Sequence, residues 1–515
     1  MILLLIIIFG ILLIIVKYIL PTSIRYLQLK KDYQNISFLP FSSIPFVGNL
    51  HLIDHRPYIF FQLMCRLSHE CQIKEKGIFC LWYSLSPVLY ISSANGLETF
   101  INNSKQLIKS FDYTFLQPWL KTGLVTSNND KWRSRRRLIT PSFHNTELLH
   151  SYMHIFNEQS FILADRFNKY TEQSYKTHDL YPCISACTLD IIAEAATGTH
   201  LKAQLDGEHN DFVQATVRIG DIINKRLRSP WLWSSCIFNR LPIGREHTKL
   251  LKILHSFSRK IIEERLVTFN AKQMINNDDD DDKKCTHRLV FLDCLLTQMQ
   301  EKKLSFDDIH EEVDTFMFAG HDTTAAAINF FCYLMGCYPD IQSKVHAEMD
   351  MIFGNDRNRP CTIEDIEQMT YLDCVIKECM RILPPVPFIS REAQTDFIYH
   401  NQIVRKGTTV SIFIFGIHHD ESVFPNPKMF DPERFVDNSF NQNQHSHYAF
   451  IPFSAGSRNC IGQRFAGLEE RVVLSTLFRQ FIFRSTQTVD QLHLAMNVIL
   501  RPHVPIQMFI ERRSL

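Results

Sequence analysis

The sequence lacks an excess of charge of either sign, because 55 lysine and arginine residues nearly balance 54 aspartate and glutamate residues. A formal net charge of +1 gives no reason to expect nucleic acid as a partner. Internal repeats are absent, and tryptophan is scarce, with 5 residues against 40 phenylalanines. At 45% hydrophobic residues the composition is that of a globular protein with a sizeable core, and the phenylalanine excess suits an apolar interior or cavity.

The amino terminus carries a long apolar run. Residues 1–16 include no charged or polar side chain, and residues 18–20 extend the run past Lys17. About 20 apolar residues suffice for a membrane-spanning helix. A cleaved signal peptide would need a basic leading region and a small-residue cleavage site, and the sequence has neither. Basic residues follow the run, so we expect an uncleaved transmembrane anchor over residues 1–20 with the remaining chain in the cytosol.

This orientation has consequences for cysteine and asparagine chemistry. A cytosolic domain faces a reducing thiol pool, so the 14 cysteines are expected to remain free. Cys183 and Cys187 have helical spacing but no histidine pair nearby, which favours packed thiols over a metal site. The glycosylation sequons at Asn35 and Asn102 are expected to stay unmodified.

Two segments outside the periodic stretches mark the domain organisation. The prolines and glycine at 40–48 predict a stiff connector, so we assign a proline-containing linker to residues 21–50 and the folded domain to residues 51–515. Residues 276–284 contain five adjacent aspartates, which repel one another and predict a solvated surface loop. A calcium site is the alternative there, although the ligand spacing of an ordered calcium loop is missing.

The remaining chain predicts a mainly helical fold with smaller β-sheets (α+β). Ser305 and Asp308 form a start like a capping box, and the chain then runs without proline to Pro339. This pattern predicts a helix of about thirty residues, long enough to cross a whole domain. Stretches rich in β-branched and aromatic residues at 408–419 and 498–512 predict strands.

One cysteine has an unusual context. Cys460 is flanked by Gly456 and Gly462, follows Arg458 by two residues, and precedes a segment with helical spacing. The positive end of a helix stabilises a thiolate, and glycines allow amide groups and a flat ligand to approach the sulfur closely. A single thiolate can hold haem iron, whereas zinc would need further ligands, and no cysteine or histidine with matching spacing lies nearby.

This segment resembles, position by position, the haem-binding loop of the cytochrome P450 superfamily. The matching residues are Phe453, Gly456, Arg458, Cys460 and Gly462. Four further motifs of the superfamily occur in the family's order. They are W-x-x-x-R at Trp132 and Arg136, the oxygen-binding motif at 319–323, E-x-x-R at Glu378 and Arg381, and D-P-E-R-F at 431–435. The chain is therefore identified as a member of this superfamily and is expected to have its fold.

The resemblance implies a haem b cofactor between the long central helix and the cysteine loop, with Cys460 as the axial ligand of the iron. It places Trp132 and Arg136 at a haem propionate. Arg391 and Arg458 are expected to join them, because arginine matches the geometry of a carboxylate. The other expected cofactor contacts are Ala319, Phe453 and Gly462. Buried ion pairs of Glu378, Arg381 and Arg434 are expected to support the cysteine loop without a catalytic role.

The basic residues beside Trp132 allow two interpretations. Lys131, Arg133, Arg135 and Arg137 are expected to point outward. They form either a solvated basic face or a docking patch for an acidic flavoprotein reductase.

The central helix carries the expected catalytic pair. Gly320 costs about 1 kcal/mol relative to alanine inside a helix, and a ligand pressed against the helix would explain it. Thr323 can bond back to a carbonyl and open the helical ladder locally. With Asp322 it is expected to form an acid–alcohol relay for protons.

Two segments, 131–144 and 312–324, resemble the microsomal family 4 enzymes, which hydroxylate fatty acids and eicosanoids at or near the chain end. The resemblance implies an endoplasmic reticulum enzyme that receives NADPH electrons from a cytochrome reductase, with cytochrome b5 as a further candidate partner. Many members have a glutamate, esterified to haem, at the position of Ala319, so we expect non-covalent haem here. A haem-thiolate isomerase or dehydratase, or a non-catalytic haem or lipid binder, is the alternative. The intact pair Asp322–Thr323 argues against both.

Overall fold

The computed structural model describes residues 17, 20–40, 47–54, 56–74, 77–102, 108–206, 211–276, 290–399, 402–436 and 446–513. The anchor expected over residues 1–20 lies outside this part, apart from Lys17 and Leu20, as does the aspartate-rich segment after residue 276. Within the described ranges, no helix combines the length and the apolar character that crossing a membrane requires.

Helices dominate the fold, which confirms the mainly helical prediction with smaller sheets. The α-helices are Leu20–Tyr33, Pro57–Ile73, Ala94–Asn102, Gln117–Leu120, Asn129–His144, Thr146–Ser151, Met153–Thr171, Tyr181–Thr197, Ala203–Asp206, Asp211–Leu227, Ser235–Phe238, Pro242–Asn276, Phe291–Gln300, Phe306–Cys337, Pro339–Phe353, Ile363–Gln368, Thr370–Ile382, Ile414–His418, Ser446–Ala449 and Gln463–Gln480. Short 3₁₀ helices lie at Gln34–Ile36, Leu50–Leu52, Phe111–Phe115, Pro230–Leu232, Pro432–Phe435 and Val489–Gln491.

The strands form small sheets. They are β1 (Ile78–Tyr83), β2 (Ser86–Ile91), β3 (His178–Asp179), β4 (Phe388–Glu392), β5 (Phe397–Tyr399), β6 (Gln402–Val404), β7 (Thr409–Phe413), β8 (Phe481–Ser485), β9 (Leu494–Met496), β10 (Leu500–Pro502) and β11 (Gln507–Arg512). One sheet has the order β1-β2-β7-β4, in which only the β2–β7 pair is parallel. The others are β3-β11-β8, β10-β9 and β5-β6. The strand expected over 408–419 ends at Phe413 and continues as the helix Ile414–His418.

The central helix, Phe306–Cys337, organises the fold. Ser305 and Asp308 make the expected capping box, and the helix ends just before Pro339. Most of its side chains are buried, because the largest hydrophobic cluster surrounds it and the helix Tyr181–Thr197 packs along it. A helix buried on nearly all sides can present residues of opposite faces to different partners.

The segment expected to be a linker begins as structure of the folded domain. Residues 20–33 form a helix whose last residue, Tyr33, is fully buried against the first sheet. The Tyr33 hydroxyl lies 2.9 Å from Thr408 Oγ1, and Asp32 accepts from Arg405 at 2.8 Å. These contacts tie residues 32–33 to a part of the chain more than 370 positions away, so this part of the predicted connector is helical and docked.

Candidate active site

A cavity of about 320 Å³ lies between the cysteine loop and the central helix. Its walls are mostly apolar, with Phe316 and Phe318 of the central helix among them. Seven of the ten predicted site residues line it: Ala319, Thr323, Arg391, Phe453, Arg458, Cys460 and Gly462. The structure therefore brings together residues that are up to 143 positions apart in the sequence, and it leaves Trp132, Arg136 and Asp322 outside the lining.

The cysteine loop is a closed turn that ends in a helix. The Cys460 amide donates to the carbonyl of Phe453 at 2.9 Å, and the Asn459 amide donates to Gly456 at 3.1 Å. Gly456 has a φ of 73°, a left-handed conformation that glycine adopts without steric cost. The Cys460 side chain is exposed, but the protein packed around it disfavours the thiolate and raises the pKa of the thiol, while the Gly462 backbone and the Arg136 charge oppose that shift. Metal coordination would favour the thiolate further.

Three basic side chains face the same cavity. They are Arg391, Arg458 and Lys109, of which sequence reasoning missed the last. Burial and the neighbouring Arg391 lower the pKa of the Arg458 guanidinium to about 9. Burial, with Arg391 and Arg458, holds the pKa of Lys109 well below its ordinary value. Arg458 Nε and Nη1 are buried and have no hydrogen-bond partner among the described residues.

These groups fit haem. A flat apolar ring would fill space between Cys460 and the central helix, and its two carboxylates would satisfy the orphaned donors of Arg458 beside Arg391 and Lys109. Arg391 is buried and Arg458 and Lys109 are half-buried, and the same wall contains the Asp112 carboxyl, whose pKa is raised by burial. The three positive groups favour an anionic ligand.

Trp132 and Arg136 do not line the cavity, but each contacts the cysteine loop. Trp132 is buried, and its ring centroid lies 4.1 Å from the Arg458 guanidinium carbon, which fixes that side chain by a cation–π contact. Arg136 donates to the Asn459 carbonyl at 2.9 Å and to its side-chain oxygen at 2.8 Å. In this structure Arg136 thus holds the backbone next to Cys460.

The catalytic pair is divided between two environments. Thr323 lines the cavity and its hydroxyl donates to the Ala319 carbonyl at 2.7 Å, as expected for back-bonding. Asp322 is buried on another face, where it accepts from Tyr181 at 2.6 Å and pairs with Arg501. The Arg501 charge, with His321 and Tyr181, outweighs burial and holds the pKa of the Asp322 carboxyl below its usual range. Neighbouring helical residues point about 100° apart, which explains the separation.

Gly320 lines the cavity, so the expected contact with a ligand stays a prediction, and the structure adds a second reason for glycine. A Cβ at this position would lie 2.5 Å from Cγ1 and 2.8 Å from Cδ1 of Ile192, on the helix Tyr181–Thr197. The Ile192 side chain therefore also favours glycine here.

The expected support network is present. Arg381 donates to both Glu378 carboxylate oxygens at 2.7 and 2.8 Å, and both side chains are fully buried. Arg434 lies 3.6 Å from the same carboxylate. Arg381 also donates to the His418 carbonyl at 2.9 Å, and the His418 ring accepts from the Ile451 amide at 2.9 Å. This chain of contacts reaches the residue just before the cysteine-loop segment.

One basic residue contradicts the outward orientation expected for residues beside Trp132. Arg135 is buried and pairs with Asp308 at the start of the central helix, with Glu311 and Glu312 within 3.9 Å. Lys131 is half-buried and lies 2.5 Å from Glu311. The two exposed residues of the four are Arg133 and Arg137. The acidic first turns of the central helix draw the others inward, and burial raises the pKa of Glu312 to about 7.

A cysteine loop opposite a long helix, with an apolar cavity and anion-binding cations between them, defines a haem-thiolate protein. The family model "Cytochrome P450" matches residues 39–510, and the chain belongs to that family. It is 41% identical over 472 residues to "Cytochrome P450 4V2" of Rattus norvegicus, covering 91% of this chain and 88% of the relative. The human protein of that name is 40% identical over 473 residues, with 91% and 88% covered. "Cytochrome P450 4c3" of Drosophila melanogaster is 39% identical over 446 residues, with 85% and 82% covered.

These relatives make the chain a member of family 4. Membership of the cytochrome P450 family makes it a monooxygenase, an oxidoreductase with haem bound through a cysteine thiolate. Enzymes of this family take electrons from a redox partner and bind dioxygen and a small-molecule substrate.

Proposed function

We propose that this monooxygenase hydroxylates a fatty acid or eicosanoid at or near the end of its chain. The balanced reaction consumes the substrate, dioxygen, NADPH and a proton, and it yields the alcohol, water and NADP⁺. The observation that carries the proposal is the apolar cavity that joins Cys460 and Thr323, since a hydrocarbon chain suits its phenylalanine-rich walls. The similarity to family 4 proteins supports the same substrate class.

The residues of the chain have distinct roles in this proposal. Haem held by the Cys460 thiolate supplies dioxygen activation and oxygen-atom transfer, which the thiolate favours. Arg391, Arg458 and Lys109 hold the carboxylates of the cofactor. The Thr323 hydroxyl exchanges its bond to Ala319 for one to water and passes a proton into the cavity.

Asp322 acts in this proposal as a proton relay behind Thr323. Its carboxylate is ionised beside Arg501 and accepts from Tyr181 outside the cavity, so it must first turn from Arg501 and take up a proton from solvent before it can pass that proton toward Thr323. The ion pair therefore limits when protons enter the site.

We also propose that haem is bound without a covalent link. Ala319 lines the cavity with a methyl group and has no carboxylate that could form an ester. Denaturation in acidic organic solvent should release haem completely from the wild type. Ala319→Glu, incubated under turnover, should retain part of it, and retention by the wild type would contradict this proposal.

Residues 1–20 are proposed to anchor the chain as a single span in the endoplasmic reticulum membrane, with the catalytic domain in the cytosol. An NADPH–cytochrome reductase would dock there, and cytochrome b5 is a second candidate donor. Exposed Arg133 and Arg137 support an acidic partner surface.

Product analysis tests the function. The membrane-bound, haem-loaded protein is combined with reductase and NADPH, and saturated and polyunsaturated fatty acids are offered as substrates. A terminal or near-terminal alcohol is expected, and omission of NADPH should abolish it. Turnover without NADPH would support an isomerase or dehydratase, and no turnover by the haem-loaded protein would contradict the fatty-acid assignment.

A further inference from the structure

A second, smaller cavity of about 70 Å³ adjoins the main one. The two share walls formed by Asp112, Leu227, Phe388 and Ser390. The small cavity lies between the sheet β1-β2-β7-β4, the end of the helix Asp211–Leu227, and β9. Its other walls are largely aromatic, and they include Phe60, Tyr83, Tyr90, Phe111 and Trp233.

Arg228 brings a positive charge into these aromatic walls. The residue is 7% exposed and lies immediately after the helix that ends at Leu227. Its Nη1 donates to the Met496 carbonyl at 3.2 Å, and the guanidinium lies 5.9 Å from the Phe60 ring centroid. Its Nε is buried and has no hydrogen-bond partner within the described part of the chain. The hydroxyl of Ser411, in the same cavity wall, is also buried and unpartnered there.

The nearby acids make no ion pair with this arginine, although the charge of Asp221 opposes the effect of burial on the Arg228 pKa. Among the described residues, no carboxylate oxygen lies within 4.0 Å of the Arg228 guanidinium. Asp221 accepts from Asn497 at 3.2 Å, and Asp112 accepts from Ser110. Burial lowers the pKa of Arg228 and raises the pKa of both acids. A buried guanidinium needs acceptors for its donors, as the carbonyls at Arg226 provide, whereas the space beside the unpartnered Nε of Arg228 is a cavity.

We propose that Arg228 binds the carboxylate of the fatty-acid substrate, with the Ser411 hydroxyl as a second donor. The acyl chain then passes Leu227 and Phe388 into the main cavity, so that its far end points toward Cys460. This inference rests on the proposed function and deepens it, because it explains how the end of the chain, and not its acid group, reaches the reacting centre. The preferred substrate is a free acid, and an ester of the same length loses the anchor.

Binding of matched ligands tests the proposal. Dodecanoic acid and methyl dodecanoate are titrated into the haem-loaded wild type and into the Arg228→Gln and Arg228→Lys variants, with affinity followed by the haem absorption shift and by calorimetry. Arg218→Gln is the control, because Arg218 lies on the helix that precedes Arg228, is exposed and pairs with Glu246 at 2.6 Å. Thermal unfolding of each variant verifies the fold.

The expected result is selective. Arg228→Gln should weaken the binding of the acid about 10- to 100-fold, the range expected for a charge-assisted hydrogen bond, and leave the affinity for the ester nearly unchanged. Arg228→Lys should retain part of the affinity, and Arg218→Gln all of it. If Arg228→Gln weakens the binding of acid and ester equally, or weakens neither, Arg228 does not anchor the carboxylate, even if the wild type hydroxylates the acid. A wild type that neither binds nor hydroxylates the acid refutes the fatty-acid function itself.

Discussion

Gly320→Ala tests whether the neighbouring helix or a bound ligand requires glycine in the central helix. The added Cβ would lie 2.5 Å from Ile192 Cγ1, whereas carbon atoms pack best at roughly 3.5–4.0 Å. Overpacking of this kind costs about 1–3 kcal/mol. The higher helix propensity of alanine stabilises the helix by about 1 kcal/mol, so we expect a net destabilisation of about 0–2 kcal/mol.

A second substitution should reverse the sign of the stability change caused by Gly320→Ala. Ile192→Ala removes Cγ1 and Cδ1, the two atoms closest to the added Cβ. This change alone should cost about 2–5 kcal/mol, because it leaves a cavity beside the helix. In its background Gly320→Ala should become neutral or stabilising, since the clash is gone and the propensity gain of about 1 kcal/mol remains. The coupling between the two sites is then about 1–3 kcal/mol in favour of the double variant.

Urea unfolding of the four forms, followed by tryptophan fluorescence, measures this cycle. Gly220→Ala is the matched control, because Gly220 also lies inside a helix and its added Cβ would meet no atom within 4 Å. That variant should gain about 1 kcal/mol. Strictly additive effects at 320 and 192 would refute the packing argument. Unchanged stability of Gly320→Ala with weaker substrate binding would favour the ligand instead.

Three further predictions concern buried charges. Arg381→Met should lower the free energy of unfolding by about 3–5 kcal/mol, because it leaves the buried Glu378 carboxylate without its counter-charge. It should also reduce haem incorporation, measured as haem absorbance per amount of protein. The raised pKa of Glu312 makes its deprotonation unfavourable in the folded state, so the wild type should lose stability as pH rises from about 4.5 to 7. Glu312→Gln should reduce this loss, measured by unfolding at several pH values. The pair Asp322–Arg501 should stabilise the protein above about pH 4 and lose this contribution as pH falls through the lowered pKa. Asp322→Asn should therefore show less acid sensitivity.

Each of these predictions has a clear contrary result. Normal haem content in Arg381→Met would show that the buried pair does not support the cysteine loop. An unchanged pH profile in Glu312→Gln or in Asp322→Asn would show that the carboxyl has the same pKa in the folded and unfolded chain.

Features with local causes could be predicted from the sequence. The central helix is bounded by a capping box at Ser305 and by Pro339, and both signals act within a few residues. The cysteine loop is equally local, since Gly456 permits the turn and the helix starts three residues after Cys460. The family resemblance places Trp132 and Arg136 at a haem propionate, which stays a prediction, and the structure shows Trp132 against Arg458 and Arg136 against Asn459.

Features decided by distant segments could not be predicted. Arg135 turns inward because Asp308, 173 positions later, folds against it. The basic stretch itself reads as a solvated face, and only the packing of two helices identifies the buried member. The same holds for Lys109, which meets Arg391 and Arg458 at the cavity only in the folded chain.

The distribution of buried charge separates structure from function in this molecule. Arg381 and Arg135 are buried beside carboxylates of the chain, so their charges are compensated in every state of the protein. Arg228 is buried and Arg458 is half-buried, both beside cavities, and each has a buried donor nitrogen without a partner in the described part of the chain. Uncompensated burial opposes folding, so such residues are stabilised only when a ligand supplies the anion. On the proposals made above, the cofactor carboxylates bind at Arg458 and the substrate carboxylate binds at Arg228 in the adjoining cavity.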